Sequence, residues 1–337
     1  MRVLLVGASA DWSTADVETG YHDAFKALGH EVKLFRLTRR LEFWSESLDH
    51  WSAMTGQKGP EIDQVIREAS LHVLIEAALY RPDLVFIISG MGFHPDAVAL
   101  LRQHGYRVGV AFTECPYDDA HHERFAPLVD YAFVNDLHSL ERIRAVNPDT
   151  HYVGTAYSES VHRPQEPLGS ADVLFVGTGF GERQSMLEAV DWSGVDLQLY
   201  GFYGWEKDLT APLQPVTHEP ITNDEAARRY CGAKVCLNFY RSGAGYSLNP
   251  RAYELAACGA FQLAQDSVPE AHEVFGDSIA YFTDARSLEM QVRYWLRPEN
   301  EGRRREIAQE SMRRVQGHSY TERARSVLRH VEVFAMS

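Results

Sequence analysis

Short runs of β-branched and apolar residues alternate along the chain with longer stretches whose apolar positions recur every three or four residues. In the first half the strand-like runs are 2–7, 31–37, 84–89, 107–113, 131–135 and 151–155. Helix-period stretches lie between them at 19–28, 61–80, 95–104 and 137–146. The strand runs are nearly continuous in apolar residues rather than alternating, as in strands covered on both faces. Strand and helix in alternation predict a parallel, doubly wound sheet.

The stretch 162–170 (His-Arg-Pro-Gln-Glu-Pro-Leu-Gly-Ser) breaks this rhythm and reads as a linker. Beyond it the pattern restarts. Strands are expected at 172–177, 196–201, 234–239, 261–265 and 278–282, and helices at 183–190, 224–231, 250–258, 268–275 and 287–296. A charged helical tail, 299–334, is interrupted near Gly317. The expected architecture is α/β: two Rossmann-like, doubly wound domains facing each other over 1–163 and 171–316, with a C-terminal helix, 317–337, packing back on the first. Ligands of open parallel sheets sit at the carboxyl ends of the strands. The loops after Gly7, Ser89 and Thr113, and after Gly177, Gly201 and Phe239, therefore become the candidate cleft lining.

Charge narrows the partners. With 33 basic and 47 acidic residues in 337, the net charge is −14, so a nucleic acid or an anionic membrane is not expected as the main partner. The longest strongly apolar run, 84–89, is far short of the ~20 residues that cross a bilayer. The chain opens directly on a strand pattern without a signal-peptide pattern, and its four cysteines form no C-x-x-C pair. A cytoplasmic protein with reduced thiols is expected.

Two glycine-rich segments carry candidate chemistry. Phe175-Val176-Gly177-Thr178-Gly179-Phe180-Gly181-Glu182-Arg183 takes a strand through alternate glycines into a helix. Glycines allow close backbone approach, the helix N-terminus offers free N–H groups to an anion, and Arg183 adds a fork suited to phosphate. A plain turn with structural glycines is the alternative. Ser242-Gly243-Ala244-Gly245-Tyr246-Ser247-Leu248-Asn249-Pro250-Arg251-Ala252-Tyr253-Glu254 places a good N-cap, Asn249, and a proline at the first helical position after a flexible loop. Arg251 and Glu254 fall on one helical face. They suit a diphosphate and a ribose diol, or else form a plain surface ion pair.

The order of these pieces resembles the CgeB-like, spore-maturation-type glycosyltransferases, group-1 enzymes of GT-B fold. The segment from Asn249 to Phe261 is similar to that family's R-x-x-E-x-x-A-C-G-A run. Leu28-Gly29-His30-Glu31-Val32, Arg81-Pro82-Asp83-Leu84-Val85-Phe86, Asp172–Arg183, Ala233–Asn238 and His318–Arg323 resemble further pieces in the family's order. The resemblance implies a metal-independent hexosyltransferase-like enzyme (EC 2.4) with no cofactor beyond a UDP-, GDP- or dTDP-linked sugar donor. It implies that Glu254 binds the ribose. Gly179, Arg183, Arg251 and the loop bearing Tyr246, Ser247, Leu248 and Asn249 would hold the diphosphate. Many group-1 enzymes carry a second carboxylate eight positions before the ribose-binding one. Here that position is Tyr246, which leaves retaining stereochemistry without its usual group. The chain has no D-x-D dyad, and no metal site is expected.

In the first half, Glu114-Cys115-Pro116-Tyr117-Asp118-Asp119-Ala120-His121-His122-Glu123 follows a strand end. Glu114 or Asp118 is the candidate general base on the acceptor side, with His94 as an alternative. A solvated loop leading to a helix capped by Asp118 or Asp119 is the plain reading. Adjacent His121 and His122 on a helix point about 100° apart, which argues against joint metal ligation. Tyr200–Trp205 is a candidate stacking surface for a base, and Gly7–Ala10 a candidate close approach to sugar. The acceptor is open. A nucleotide-sugar epimerase and a non-catalytic sugar- or nucleotide-binding protein are the alternative functions.

Overall fold

The computed structural model describes residues 1–9, 11–201, 213 and 216–333. Ala10 and Phe202–Trp205, on which two of the candidate contacts fall, lie outside the described residues. The chain divides into two compact units, residues 1–154 with 320–337, and residues 155–319.

In the first unit, β1 (Arg2–Val6), β2 (Glu31–Phe35), β3 (Leu84–Ile88), β4 (Val108–Ala111), β5 (Tyr131–Val134) and β6 (Thr150–Tyr152) form one sheet. All its pairings are parallel, in the order β2-β1-β3-β4-β5-β6. Every residue of β3 is inaccessible to solvent, which explains its unbroken apolar run. The helices of this unit are α1 (Asp11–Ala27), α2 (Leu37–Thr55), α3 (Ile62–Tyr80), α4 (Pro95–Gln103), α5 (Asp119–Phe125), α6 (Leu137–Arg144) and a C-terminal helix described below. Helix α2 was not legible in the sequence. Only Leu37 of it is fully buried, with Leu41 and Trp44 packed against the core on the same stripe, and the exposed Phe43 and Met54 lie off that stripe and blur it.

The second unit repeats the plan with β7 (Ala171–Val176), β8 (Leu197–Tyr200), β9 (Thr217–His218), β10 (Ala233–Asn238), β11 (Gln262–Gln265) and β12 (Ala280–Phe282). The sheet is again parallel, in the order β12-β11-β10-β7-β8-β9. Its helices are α7 (Gly181–Glu188), α8 (Asn223–Gly232), α9 (Pro250–Ala257), α10 (Pro269–Val274), α11 (Ala285–Trp295) and α12 (Glu301–Arg314). The last helix, α13 (Tyr320–Val333), belongs to the first unit. There the Tyr320 ring fills the space a side chain on Gly20 would take and meets Tyr21 edge-on at 5.4 Å.

The expected boundary at 163–171 is corrected. The division falls at Gly154/Thr155, and the proline-rich segment is fixed onto the second unit. Leu168 N donates to Arg228 O at 3.1 Å, Arg228 Nε donates to Glu166 O at 3.3 Å, and Gln165 Nε2 donates to Val161 O at 2.6 Å. Backbone groups satisfied in this way remove the need for periodicity.

No helix among the described residues is long and apolar enough to cross a membrane.

Candidate functional site

Strand order reverses between β7 and β10: successive strands run to β8 on one side and to β11 on the other. At such a switch point the two loops diverge and leave a crevice at the strand ends. The loops leaving these strands, 177–180 and 239–249, are the two glycine-rich segments singled out in the sequence.

Asn249 fixes the second of them. Its Oδ1 accepts from Ala252 N at 3.1 Å as the N-cap of α9, and its Nδ2 donates to Asn238 Oδ1 at 2.9 Å and Phe239 O at 3.1 Å. Leu248 is 1 % exposed. Its N–H donates to the Glu270 carboxylate at 2.6 Å, and its carbonyl accepts from Thr155 Oγ1 at 2.7 Å. Ser247 is buried beside it. The Tyr246 hydroxyl donates to Glu273, a bond that pushes the phenol up to about 12. Tyr246, Ser247, Leu248 and Asn249 are thus brought together as a braced loop, and Asn238 and Glu270 are the supports that the sequence did not reveal.

The first loop is built around Gly177, whose φ is +153°. A Cβ there would sit 2.4 Å from Arg251 Nη2. The guanidinium of Arg251 lies over the Phe175 ring, 4.9 Å from its centroid, and its buried Nε has no hydrogen-bond partner. A cation held by aromatic stacking and left with an open donor is ready for an anion. Gly177→Ala is expected to cost on the order of 1–3 kcal/mol, because the backbone conformation is close to glycine-only, and to push Arg251 aside. Thermal unfolding together with a nucleotide titration checks both effects.

Arg183 is placed differently from the sequence expectation of an outward fork. It is 8 % exposed, donates from Nη1 to Thr178 O at 3.0 Å and from Nη2 to Phe239 O at 3.3 Å, and so ties the two loops together. Gly179 O is itself held by Gln184 Nε2 at 2.9 Å. Arg183 and Arg241 also line a cavity of about 200 Å³ with Glu182, Phe239, Tyr240 and Gln265. Arg241, outside every sequence motif considered, adds a second cation there.

Glu254 lies one turn into α9. Its side chain is 12 % exposed, and among the described residues its nearest basic atom is Nε2 of the buried His162, at 4.0 Å. Its carboxylate accepts no hydrogen bond from another of the described residues. Burial pushes the carboxyl up to about 7, with the Arg251 charge pulling the other way. A buried carboxyl without donors of its own is costly until a ligand supplies them.

In the first unit the sheet reverses between β1 and β3. A Cβ on Gly7 would strike the buried carboxyl of Glu18, a group the sequence reading missed. Ser89, at the end of β3, has φ +67°, uncommon for a residue with a side chain. His94 is the N-cap of α4: Nδ1 accepts from Asp96 N at 3.1 Å, and Nε2 lies 3.7 Å from Asp63 Oδ1. It therefore has a local structural task. Glu114 and Asp118 are half-buried in one turn after β4, with Asp118 N donating to Glu114 O at 3.0 Å.

The expected cap of α5 is corrected, since Asp118 makes no side-chain cap bond. Asp119 turns inward to accept from Ser139 Oγ at 2.8 Å. His122 Nδ1 lies 3.4 Å from both Cys115 Sγ and Asp119 Oδ1, and its ring stacks on Phe112 with centroids 4.3 Å apart. Burial pushes the Cys115 thiol up to about 12 and the His122 imidazole below its ordinary value.

Residues 183–329 match the model of the glycosyl transferase-like family. No curated protein matches the chain. Among solved structures, the chain is similar to sucrose-phosphate synthase from Thermosynechococcus elongatus, at 14 % identity and a TM-score of 0.70 with both chains covered in full. A glycosyltransferase from Rickettsia africae gives 12 % identity and a TM-score of 0.65 over 100 % of this chain and 99 % of that one. Anabaena HepE, solved with UDP and glucose, gives 11 % identity and 0.61 over 98 % and 99 %. The fold is GT-B. With the matched domain it makes this chain a glycosyltransferase of EC class 2.4.

Proposed function

We propose that the second unit binds a nucleotide-diphosphate sugar, and that the enzyme transfers the sugar without a metal on the diphosphate, as the CgeB-like resemblance implies. The observation that carries this reading is Glu254: a buried carboxyl, accepting no hydrogen bond among the described residues, beside an arginine with an open donor. A ribose diol supplies two donors to the one, and a diphosphate supplies the anion to the other. HepE, bound to UDP and glucose, is a relative in fold that takes such ligands. Cleaving the sugar–phosphate bond leaves charge on the diphosphate. Arg251, with Arg241 on the loop after β10, stabilises that charge electrostatically in place of a metal, while Arg183 holds the two loops together. Glu114 and Asp118 of the first unit remain the candidate general bases toward the acceptor. The reading keeps the protein in the cytoplasm, where nucleotide sugars are the activated donors.

The test is a thermal-shift panel of UDP-, GDP-, dTDP-, CDP- and ADP-sugars, followed by product analysis without added Mg²⁺ or Mn²⁺. A true donor at 100 times its dissociation constant adds about 2.7 kcal/mol to stability and releases free nucleoside diphosphate. An isomerised donor as product would mean epimerisation. A shift without turnover, over a range of acceptors, would mean binding alone. Activity that depends strictly on added divalent metal would overturn the metal-free step.

A further inference from the structure

We propose that Cys115, Asp119 and His122 hold a Zn²⁺ ion that clamps the loop after β4 onto α5. Three electron-pair donors of different chemistry converge there in a fully buried place. Sγ of Cys115, a carboxylate oxygen of Asp119 and a ring nitrogen of His122 all lie within 4.8 Å of one another. The three residues are 5 %, 6 % and 1 % exposed.

The separations match those around a shared cation, although the Nδ1–Sγ distance also suits a sulfur hydrogen bond. Zinc bonds of about 2.3 Å to sulfur and 2.0–2.1 Å to nitrogen or oxygen, at tetrahedral angles, put ligand atoms roughly 3.3–3.6 Å apart. The observed Nδ1–Sγ and Nδ1–Oδ1 distances are both 3.4 Å. As an N–H···O bond, 3.4 Å is beyond the usual 2.7–3.2 Å or so. One Nδ1 also faces both neighbours, and a single proton on it serves one of them.

The surroundings orient each ligand. Ser139 on α6 holds the Asp119 carboxylate at 2.8 Å. Phe112 stacks on the His122 ring. Cys115 N donates to Asn135 Oδ1 at 3.1 Å, and Asn135 Nδ2 donates to Thr113 O at 3.0 Å, which pins the loop. Such supports are what a metal site needs around its ligands. Asp119 and His122 are three apart on one helical face. The ligating pair on the helix is thus Asp119 with His122, one turn apart, and not the adjacent His121 and His122. A mixed thiolate, imidazole and carboxylate set suits zinc, with a water as the fourth ligand that three protein donors leave open. The ion would fix the turn that carries Glu114 and Asp118. It is remote in kind from the diphosphate chemistry, and metal content reports on it whether or not sugar transfer occurs.

The full chain, expressed in zinc-supplemented medium and dialysed against metal-free buffer, is expected to retain close to one zinc per chain. Removing the zinc should lower the melting temperature, and adding it back should restore it. Cys115→Ser and His122→Gln should each weaken zinc binding by about tenfold or more. Cobalt substituted into the unmutated protein should give the intense thiolate-to-metal absorption of a cysteine ligand, a readout that stands even if a variant fails to fold. Purified protein without zinc whose melting temperature ignores added zinc would overturn the proposal. So would a cobalt spectrum without the thiolate band, or zinc held undiminished in both folded variants.

Discussion

Replacing Glu254 with glutamine is expected to weaken nucleotide binding about tenfold to a hundredfold while making the ligand-free protein more stable at neutral and higher pH. The first effect follows from exchanging charge-assisted hydrogen bonds, worth about 1.5–3 kcal/mol each, for neutral ones. The second follows from the sign of the shift. The carboxyl titrates at about 7 in the fold against an ordinary 4.5, so the folded state holds the proton more tightly than the unfolded chain. Stability from that proton is fully present below the unfolded value and is lost as pH rises through 7. Glutamine cannot ionise, so its advantage should grow between those two values and level off above them. Melting curves across pH 4–9 check the stability, and a nucleotide titration checks the binding. A purely structural Glu254 would lose stability on replacement and leave affinity unchanged.

Arg251→Ala is expected to lower kcat by a factor of about 10²–10³, the usual consequence of removing one donor from the charge that develops in a transition state. The structure sharpens this expectation, because Arg183 is committed to Thr178 O and Phe239 O and is not free to replace Arg251. Arg251→Lys should recover little. An ammonium lacks the planar fork and the flat face that stacks on Phe175. Steady-state kinetics with the selected donor decides it: a large loss in kcat with a smaller change in KM supports a role in the transition state, and unchanged kcat removes Arg251 from the chemistry.

The two sheets were legible because β3 is an unbroken buried apolar run and the inner residues of β7 (Val173–Phe175) and β10 (Val235–Leu237) are buried and apolar. The braced loop of α9 was legible because Asn249-Pro250 is a local signal whose partners lie within the motif or one strand away. What escaped was set by distance along the chain. Glu270 reaches Leu248 N across 22 residues, and His162 approaches Glu254 from a segment whose prolines read as linker. Helix α2 escaped because Leu37 reads as the end of the preceding strand run and the exposed Phe43 and Met54 lie off the Leu37–Leu41–Trp44 stripe. Arg183 follows the glycine turn as its spacing implies, yet its side chain bends back onto backbone carbonyls. Spacing in a sequence does not encode that direction. The Cys115–Asp119–His122 cluster is hidden in the sequence because it joins residues one helical turn apart to a cysteine in the loop before the helix.

The central claim is that Glu254 receives the ribose of the nucleotide. It is tested most directly by calorimetric titration with the best-binding nucleoside diphosphate of the panel, at pH 7, in buffers of different ionisation enthalpy. A carboxyl partly protonated in the free protein and ionised against a diol should release protons on binding, and the Glu254→Gln protein should bind more weakly and lose that release. Equal proton counts and equal affinities in the two proteins would contradict the account.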